Sequence, residues 1–178
     1  LVFDGGSFCM SKNQTVIYQA PFFEENNLEV TFPLKKNKLS KAYDVKEYMV
    51  TYKALVYSLR KYLDKSGFKK VLIGISGGID SSVSSTLSAM TGLKTIVLSM
   101  PIKQKSAQHD LSLAHQNWLK EKFSNVEGHT LELDSLFKTF ESTLSDFGSE
   151  HGMANSRARL RMSTLYQVAA ANNGIVVG

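Results

Sequence analysis

The sequence predicts an α/β protein in which helices cover both faces of a parallel sheet, as in Rossmann-like folds, preceded by a short β segment. Strand-like and helical segments alternate along most of the 178 residues, an order typical of such sheets. The strand-like segments are continuous apolar runs, for example VLIGI at residues 71–75, and strands buried on both faces have that composition. Hydrophobic residues make up 43% of the chain, with ten Phe and seven Tyr, enough for a sizeable core.

The first 32 residues predict short β elements. The segments LVFDGGSFCM and TVIYQAPFF flank the polar turn SKNQ, which is the pattern of a β-hairpin. The next segment, PLKKNKLSKAYD at residues 33–44, is polar, rich in lysine and without apolar periodicity. We therefore expect a linker there.

The remainder of the chain predicts alternating helices and strands. A long helix is expected from Asp44, a suitable N-cap residue with Glu47 three positions later, to the glycine of KSGF. Its apolar residues recur at helical spacing. The further elements predicted are strands at 71–75, 95–100, 129–134 and 174–178, and helices at 81–90, 106–123, 135–144 and 153–171.

Composition and charge exclude some classes of protein and leave others open. The net charge of +5 suits an enzyme for anionic small molecules as well as a nucleic-acid-binding protein, but no patch interleaves aromatic and basic residues, so we predict no nucleic-acid partner. Cys9 is the single cysteine, which excludes an intrachain disulfide and fits a reducing cytoplasm. No apolar run approaches the roughly 18 residues that span a bilayer, and no signal peptide is visible, so no membrane partner is predicted.

The stretch VLIGISGGIDSSVSS, residues 71–85, predicts a phosphate-binding loop. Gly77 and Gly78 permit positive φ and place no side chain between backbone N–H groups and an anion. The positive end of the following helix points at the same place. Ser76, Ser81 and Ser82 add hydroxyl donors, so phosphate charge can be met without a lysine in the loop.

Asp80 lies in this loop, where a carboxylate would repel a phosphate unless a cation stood between them. We therefore predict that Asp80 binds Mg²⁺, which bridges to phosphate oxygens. The alternative is that Asp80 caps the helix and the glycines form an ordinary tight turn.

The loop lacks the Gly-Lys-Ser/Thr of a Walker loop and the G-x-G-x-x-G of a dinucleotide fingerprint. It resembles the S-G-G-x-D-S loop of the N-type ATP pyrophosphatases, which share the adenine nucleotide alpha hydrolase-like fold. That resemblance implies ATP cleavage between the α and β phosphates, on Mg²⁺. The ATP- and pyrophosphate-binding residues it implies are Gly74, Ser76, Gly77, Gly78, Asp80, Ser81 and Ser82.

The second informative stretch is NSRARLRMSTLYQVAAANNGIVVG, residues 155–178. Helical spacing puts Arg157 and Arg161 on one helix face and Arg159 on the other. Spacing alone fits an anion-binding site and a solvated basic helix equally well.

The pattern N-x-x-A-R-x-R-M-x-x-L-Y followed by GIVVG resembles NAD synthetase. The resemblance implies that Arg159 binds deamido-NAD and that the backbone of VLSMP, residues 97–101, receives adenine. LVFDGGSF and APFFEE resemble the end of the nitrilase-like glutaminase domain of glutamine-dependent NAD synthetases. The implied domains are a glutaminase remnant at 1–32, a linker at 33–43 and a C-terminally incomplete synthetase domain at 44–178.

This resemblance implies ATP-dependent amidation of deamido-NAD to NAD⁺ through an adenylated intermediate, with release of AMP and pyrophosphate and with ammonia from glutamine or solution. It implies a cytoplasmic homo-oligomer whose catalysis rests on positioning and charge neutralisation. No catalytic side chain is assigned, and the sequence leaves open whether a fragment of this kind is active by itself. GMP synthetase and the tRNA-modifying ATP pyrophosphatases remain alternatives, since they share the loop.

Other candidate residues carry weaker signals. The four histidines, His109, His115, His129 and His151, lack metal-ligand spacing, so surface or structural roles are expected. Lys103 and Ser106 follow the second strand and belong either to a lid over ATP or to an ordinary loop. Trp118 is expected in the core.

Overall fold

The computed structural model describes residues 2–27, 29 and 46–178. The chain divides into two compact units, Leu1–Ser58 and Leu59–Gly178. The predicted linker at 33–43 and the predicted N-cap Asp44 lie outside the described residues. Within those residues, no helix is long and apolar enough to cross a membrane.

The N-terminal unit contains the predicted hairpin. Strand β1, Phe8–Met10, pairs antiparallel with β2, Val16–Gln19, and the register shifts between Cys9 and Met10. The turn is closed by a hydrogen bond from the Ser11 amide to the Thr15 carbonyl, 2.8 Å long. The polar turn residues therefore satisfy the backbone between two short strands, as the sequence predicts.

Helix α1, Glu47–Ser66, is the first long helix. Its last turn belongs to the second unit, where Leu63 is fully buried. The helix ends before Gly67, whose φ of +76° is the left-handed conformation that glycine adopts after helices. The predicted C-terminus of this helix is confirmed.

The second unit is built on a four-stranded parallel sheet with the order β5-β4-β3-β6. Strands β3, Lys70–Ile75, and β4, Lys94–Ser99, pair over their whole length, from Lys70 opposite Lys94 to Ile75 opposite Ser99. The edge strands are β5, Val126–Thr130, and β6, Ile175–Val176. The central strands are almost wholly buried, which explains their continuous apolar sequences.

Helices cover both faces of this sheet. Helices α2, Ile79–Met90, and α3, Ser106–Lys122, pack on one face, and α4, Asp134–Thr143, and α5, Glu150–Ala171, pack on the other. Successive residues of β3 pack on opposite faces of the sheet. Leu72 packs with Phe137 and Ala169, whereas Ile73 packs with Ala89 and Leu119. The predicted fold class is confirmed.

The predicted strand at 129–134 is wrong in position. Strand β5 begins at Val126, opposite Thr95, and ends at Thr130, opposite Ser99. Its sequence VEGHT is too polar to be recognised from hydropathy, because an edge strand is only half covered. Asp134 instead begins α4.

The prediction that Trp118 lies in the core is also wrong. The side chain is 41% exposed, on the side of α3 that borders a cleft with α2. There it stacks on His115, with ring centroids 5.6 Å apart, and meets the edge of Phe123. The core position on this helix belongs to Leu119, which is fully buried. A one-residue difference on a helix turns a side chain by about 100°, and the apolar pattern of α3 is too irregular to fix that rotation.

Candidate functional site

The predicted phosphate loop joins the end of β3 to the start of α2. Gly77 has φ +82°, and a Cβ at this position would overlap the carbonyl oxygen of Gln108, in α3. Gly78 occupies the N-cap position of α2 and has no side chain with which to cap it. A glycine is therefore needed at the two positions for different reasons. Gly77 is required by its backbone conformation and by packing, whereas Gly78 leaves the helix N-terminus open to an anion.

The loop serines are hydrogen-bonded within the loop. The Ser76 amide donates to the Ser81 hydroxyl at 3.2 Å, and the Gly78 amide donates to the Ser76 hydroxyl at 3.3 Å. The Ser81 and Ser82 hydroxyls both donate to the Gly78 carbonyl, at 3.0 Å each. The Ser81 and Ser82 hydroxyls hold the turn in shape, and they must rotate away from the Gly78 carbonyl before they can donate to a phosphate.

Asp80 lies in the first turn of α2 with an exposed side chain. It is not the N-cap, a position that Gly78 holds, so the simple capping alternative does not explain it. Among the described residues, no group of three His, Cys, Asp or Glu side chains is arranged to hold a metal. A single carboxylate still fits Mg²⁺, since this ion commonly takes one or two carboxylates together with substrate phosphates and water.

A cleft of about 600 Å³ opens beside the loop at the carboxyl ends of β3 and β4, where ligands bind in open parallel sheets. Three of the predicted loop residues line it: Gly74, Ser76 and Gly78. A Cβ at Gly74 would come within 3.2 Å of both Leu165 Cδ1 and Met100 Cε, so this glycine keeps the floor of the cleft open. Gly77 and Ser82 line a different cleft, and Asp80 and Ser81 line neither.

Positive charge dominates the cleft. Its lining includes Lys103, Lys105, Arg157 and Arg161 and, within the described part of the chain, no acidic residue. Arg161 Nε donates to the Met100 carbonyl at 2.9 Å. Burial, and secondarily the charge of Arg157, lower the pKa of the Arg161 guanidinium below its ordinary value. The arrangement is suited to a multiply charged anion.

The structure separates the three arginines of α5 as helical spacing predicts. Arg157 and Arg161 line the cleft, whereas Arg159 is exposed and is not among the lining residues. Assignment of Arg159 to deamido-NAD stays a prediction about a surface outside this cleft. Helical spacing predicted that Arg157 and Arg161 share one face of α5. It did not predict which face of the helix would border the cleft.

Loop 100–105 forms one wall of the cleft and contains a residue, Gln104, that no sequence pattern selects. Gln104 Nε2 donates to the Ser76 carbonyl at 2.9 Å and so joins this wall to the glycine loop. Lys103, with φ +46°, is tied to α4: its amide donates to Asp134 Oδ1 at 2.7 Å, and its Nζ lies 2.6 Å from Glu141 Oε2. A lid role for Lys103 would require it to leave both carboxylates. Ser106, the other lid candidate, begins α3.

The second cleft, of about 590 Å³, lies between α2 and α3 and is mainly apolar. Ile79, Val83 and Trp118 contribute to its lining, and Gly77 and Ser82 form its border with the glycine loop. His115 lies in it with Nε2 2.9 Å from Ser85 Oγ. Burial lowers the pKa of His115, against a smaller raising effect of a hydrogen bond with the Ser82 backbone.

The other three histidines differ in their hydrogen bonding. His129 Nε2 lies 2.8 Å from Glu127 Oε1, and His151 Nε2 lies 3.2 Å from Asn155 Nδ2. His109 Nδ1 is buried without a hydrogen-bond partner among the described residues.

Comparisons with known proteins agree with this geometry. A family model described as NAD synthase matches residues 51–178. The chain is 34% identical over 138 residues to the NH(3)-dependent NAD(+) synthetase of Helicobacter hepaticus, covering 69% of this chain and 48% of that protein.

Solved structures of NAD⁺ and NMN synthetases also match the chain. Glutamine-dependent NAD⁺ synthetase from Acinetobacter baumannii, in complex with adenosine diphosphate, matches with a TM-score of 0.82 and 26% identity, over 98% of this chain and 34% of that one. NMN synthetase from Francisella tularensis matches with a TM-score of 0.65 and 31% identity, over 71% of this chain and 52% of that one.

The chain thus spans about half the length of the Helicobacter protein and about a third of the Acinetobacter one. The family match covers the glycine loop, the cationic cleft and the arginine-bearing helix together. The chain belongs to the NAD synthase family.

Proposed function

We propose that the chain provides the ATP-binding part of an enzyme that amidates deamido-NAD to NAD⁺ through an adenylated intermediate, with release of AMP and pyrophosphate. The observation that carries this proposal is a glycine loop that opens onto a cleft lined by four cations inside the segment matched by the NAD synthase family. The family match favours this reaction over GMP synthesis or tRNA modification, which share the loop.

ATP would place its phosphates between the glycine loop and the cationic wall. Ser76, Gly78 and the N-terminus of α2 would lie on one side of the phosphates, and Arg157 and Arg161 on the other. A neighbouring structure with adenosine diphosphate bound supports use of an adenine nucleotide. Mg²⁺ would be held by Asp80 and would neutralise phosphate charge.

The second substrate in this proposal is deamido-NAD, bound by Arg159. Its carboxylate oxygen attacks the α-phosphorus, pyrophosphate leaves, and ammonia then displaces AMP to form the amide. The ammonia comes from glutamine or from solution, since relatives of both kinds match the chain. No protein nucleophile is required, and the chain's role is to position substrates and neutralise charge.

The proposal includes the domain division at 1–32, 33–43 and 44–178. The hairpin of β1 and β2 would be the end of a nitrilase-like glutaminase domain, supported by the 98% of the chain that matches a glutamine-dependent synthetase. A cytoplasmic homo-oligomer is proposed on the family resemblance.

Titration calorimetry of the chain with MgATP and with deamido-NAD tests the binding part of this proposal. Both are expected to bind, and xanthosine monophosphate, the substrate expected of a GMP synthetase, is not. Turnover is then measured as pyrophosphate release by the native polypeptide that carries this chain, with ammonium chloride as nitrogen source. Release that depends on xanthosine monophosphate, or that is faster with nicotinate mononucleotide than with deamido-NAD, would contradict the proposed substrate.

A further inference from the structure

Arg157 and Arg161 form a pair of cations on one face of α5. They are one helical turn apart and both line the cleft that contains Ser76 and Gly78. The glycine loop and α5 thus contribute to the same cleft from segments about 80 residues apart in the chain. The pair is therefore placed to contact a ligand that the loop also contacts.

Each guanidinium is held by a neutral partner. Arg161 Nε donates to the Met100 carbonyl at 2.9 Å, and the guanidinium carbon of Arg157 lies 5.7 Å from the centre of the Phe137 ring. Neither arginine makes an ion pair within the described residues. A carbonyl and an aromatic face restrain the side chains without neutralising their charge.

Among the described residues, three of the four cations in the cleft make no ion pair: Lys105, Arg157 and Arg161. The two arginines supply most of this unbalanced charge. Lys103 is paired with Glu141 at 2.6 Å, so part of its charge is already balanced. Arg161 is half-buried, and both its burial and the neighbouring Arg157 lower the pKa of its guanidinium, which means that the two cations repel each other in a partly desolvated place. Such a pair is stabilised when an anion with several oxygens is bound to it.

We propose that Arg157 and Arg161 bind the β and γ phosphates of ATP and retain them as pyrophosphate when the α–β bond breaks. This inference rests on the proposed function. As the substrate carboxylate oxygen bonds to the α-phosphorus, the bond from that phosphorus to the α–β bridging oxygen breaks, and this oxygen keeps the electron pair. Negative charge on the leaving group rises in that step, and two bidentate guanidinium groups interact more strongly with it than with bound ATP.

Binding of magnesium-free inorganic pyrophosphate, MgATP and AMP to the full chain tests the inference by calorimetry. Arg157→Gln and Arg161→Gln are each expected to weaken pyrophosphate and MgATP binding by about 10- to 100-fold, the usual loss of a charged hydrogen-bonding group. AMP lacks the β and γ phosphates, so its affinity is expected to change less than about twofold. A loss for AMP as large as that for pyrophosphate would overturn the assignment to the β and γ phosphates.

Arg159→Gln is the matched control, because it removes the same charge from the exposed face of the same helix. It is expected to leave pyrophosphate binding unchanged and to weaken deamido-NAD binding instead. Arg161→Lys keeps the charge but loses the fork geometry, and an intermediate loss of pyrophosphate affinity is expected. Far-UV circular dichroism checks that each variant is folded, and Arg157→Gln alone decides the question if Arg161 variants unfold.

The outcomes separate this inference from the proposed function. If the wild-type chain binds neither MgATP nor pyrophosphate, the proposed function and the inference both fail. If the wild-type chain binds both ligands, and Arg157→Gln and Arg159→Gln bind pyrophosphate equally well, the proposed function stands and the arginine pair has no role in holding phosphate.

Discussion

The two clefts beside the glycine loop have nearly the same volume, about 600 and 590 Å³, and opposite chemistry. The cleft at the strand ends is lined by four cations, whereas the cleft between α2 and α3 is lined mainly by aliphatic side chains and Trp118. The loop contributes to both, since Ser76 and Gly78 face the cationic cleft and Gly77 and Ser82 face the apolar one. Volume therefore does not distinguish the proposed nucleotide site from the apolar cleft, whereas charge and position at the strand ends do.

The largest effect is expected where the loop separates the clefts. Gly77→Ala is expected to destabilise the chain by about 2–4 kcal/mol, because the new Cβ adds left-handed strain to overlap with the Gln108 carbonyl. MgATP affinity is expected to fall by at least about tenfold as the turn amides move. Urea unfolding and calorimetric titration measure the two effects.

Gly67→Ala is the control for this prediction. Gly67 has a similar φ of +76°, but nothing lies within 4 Å of the added Cβ. Only the conformational strain remains, so a loss of about 1–2 kcal/mol is expected, with unchanged MgATP affinity. Equal losses for the two variants would show that the contact with α3 does not constrain the loop.

A smaller effect on stability is expected from removing the Trp118 side chain from the wall of the apolar cleft. Trp118→Ala is expected to cost about 1–2 kcal/mol of stability, because its side chain is 41% exposed, against about 3–5 kcal/mol for a buried aromatic such as Phe137, which is 1% exposed. MgATP affinity is expected to stay unchanged in Trp118→Ala. A loss of nucleotide binding in this variant would show that the two clefts are coupled through the loop.

The smallest effect concerns the pH dependence of the apolar cleft. The pKa of His115 is lowered in the folded chain, so the unfolded chain takes up this proton first as the pH falls. The contribution of His115 to stability is thus fully present above its unfolded pKa, near 6.5, and is lost as the pH falls toward its folded pKa. Urea midpoints at pH 7.5 and pH 5.5 should differ more in the wild type than in His115→Gln, and an equal difference in both would contradict this origin.

The parts that could be predicted depend on short-range patterns. The apolar runs of β3 and β4, the paired glycines after β3 and the helical face shared by Arg157 and Arg161 are all readable within a few residues. The position of β5 and the core location of Trp118 were predicted wrongly, because VEGHT carries little hydrophobic signal and α3 has no regular apolar stripe.

Local sequence alone was enough to predict the order of strands and helices and to locate the glycine loop between β3 and α2, since backbone preference and burial pattern act over neighbouring residues. Which arginines line the cleft was decided by packing between distant segments: Arg161 meets the carbonyl of Met100, 61 residues earlier in the chain. The attachment of loop 100–105 to Ser76 and to Asp134 is of the same kind, over 28 and 31 residues. Such contacts exist only after the sheet has brought its strand ends together, so no window of sequence contains them.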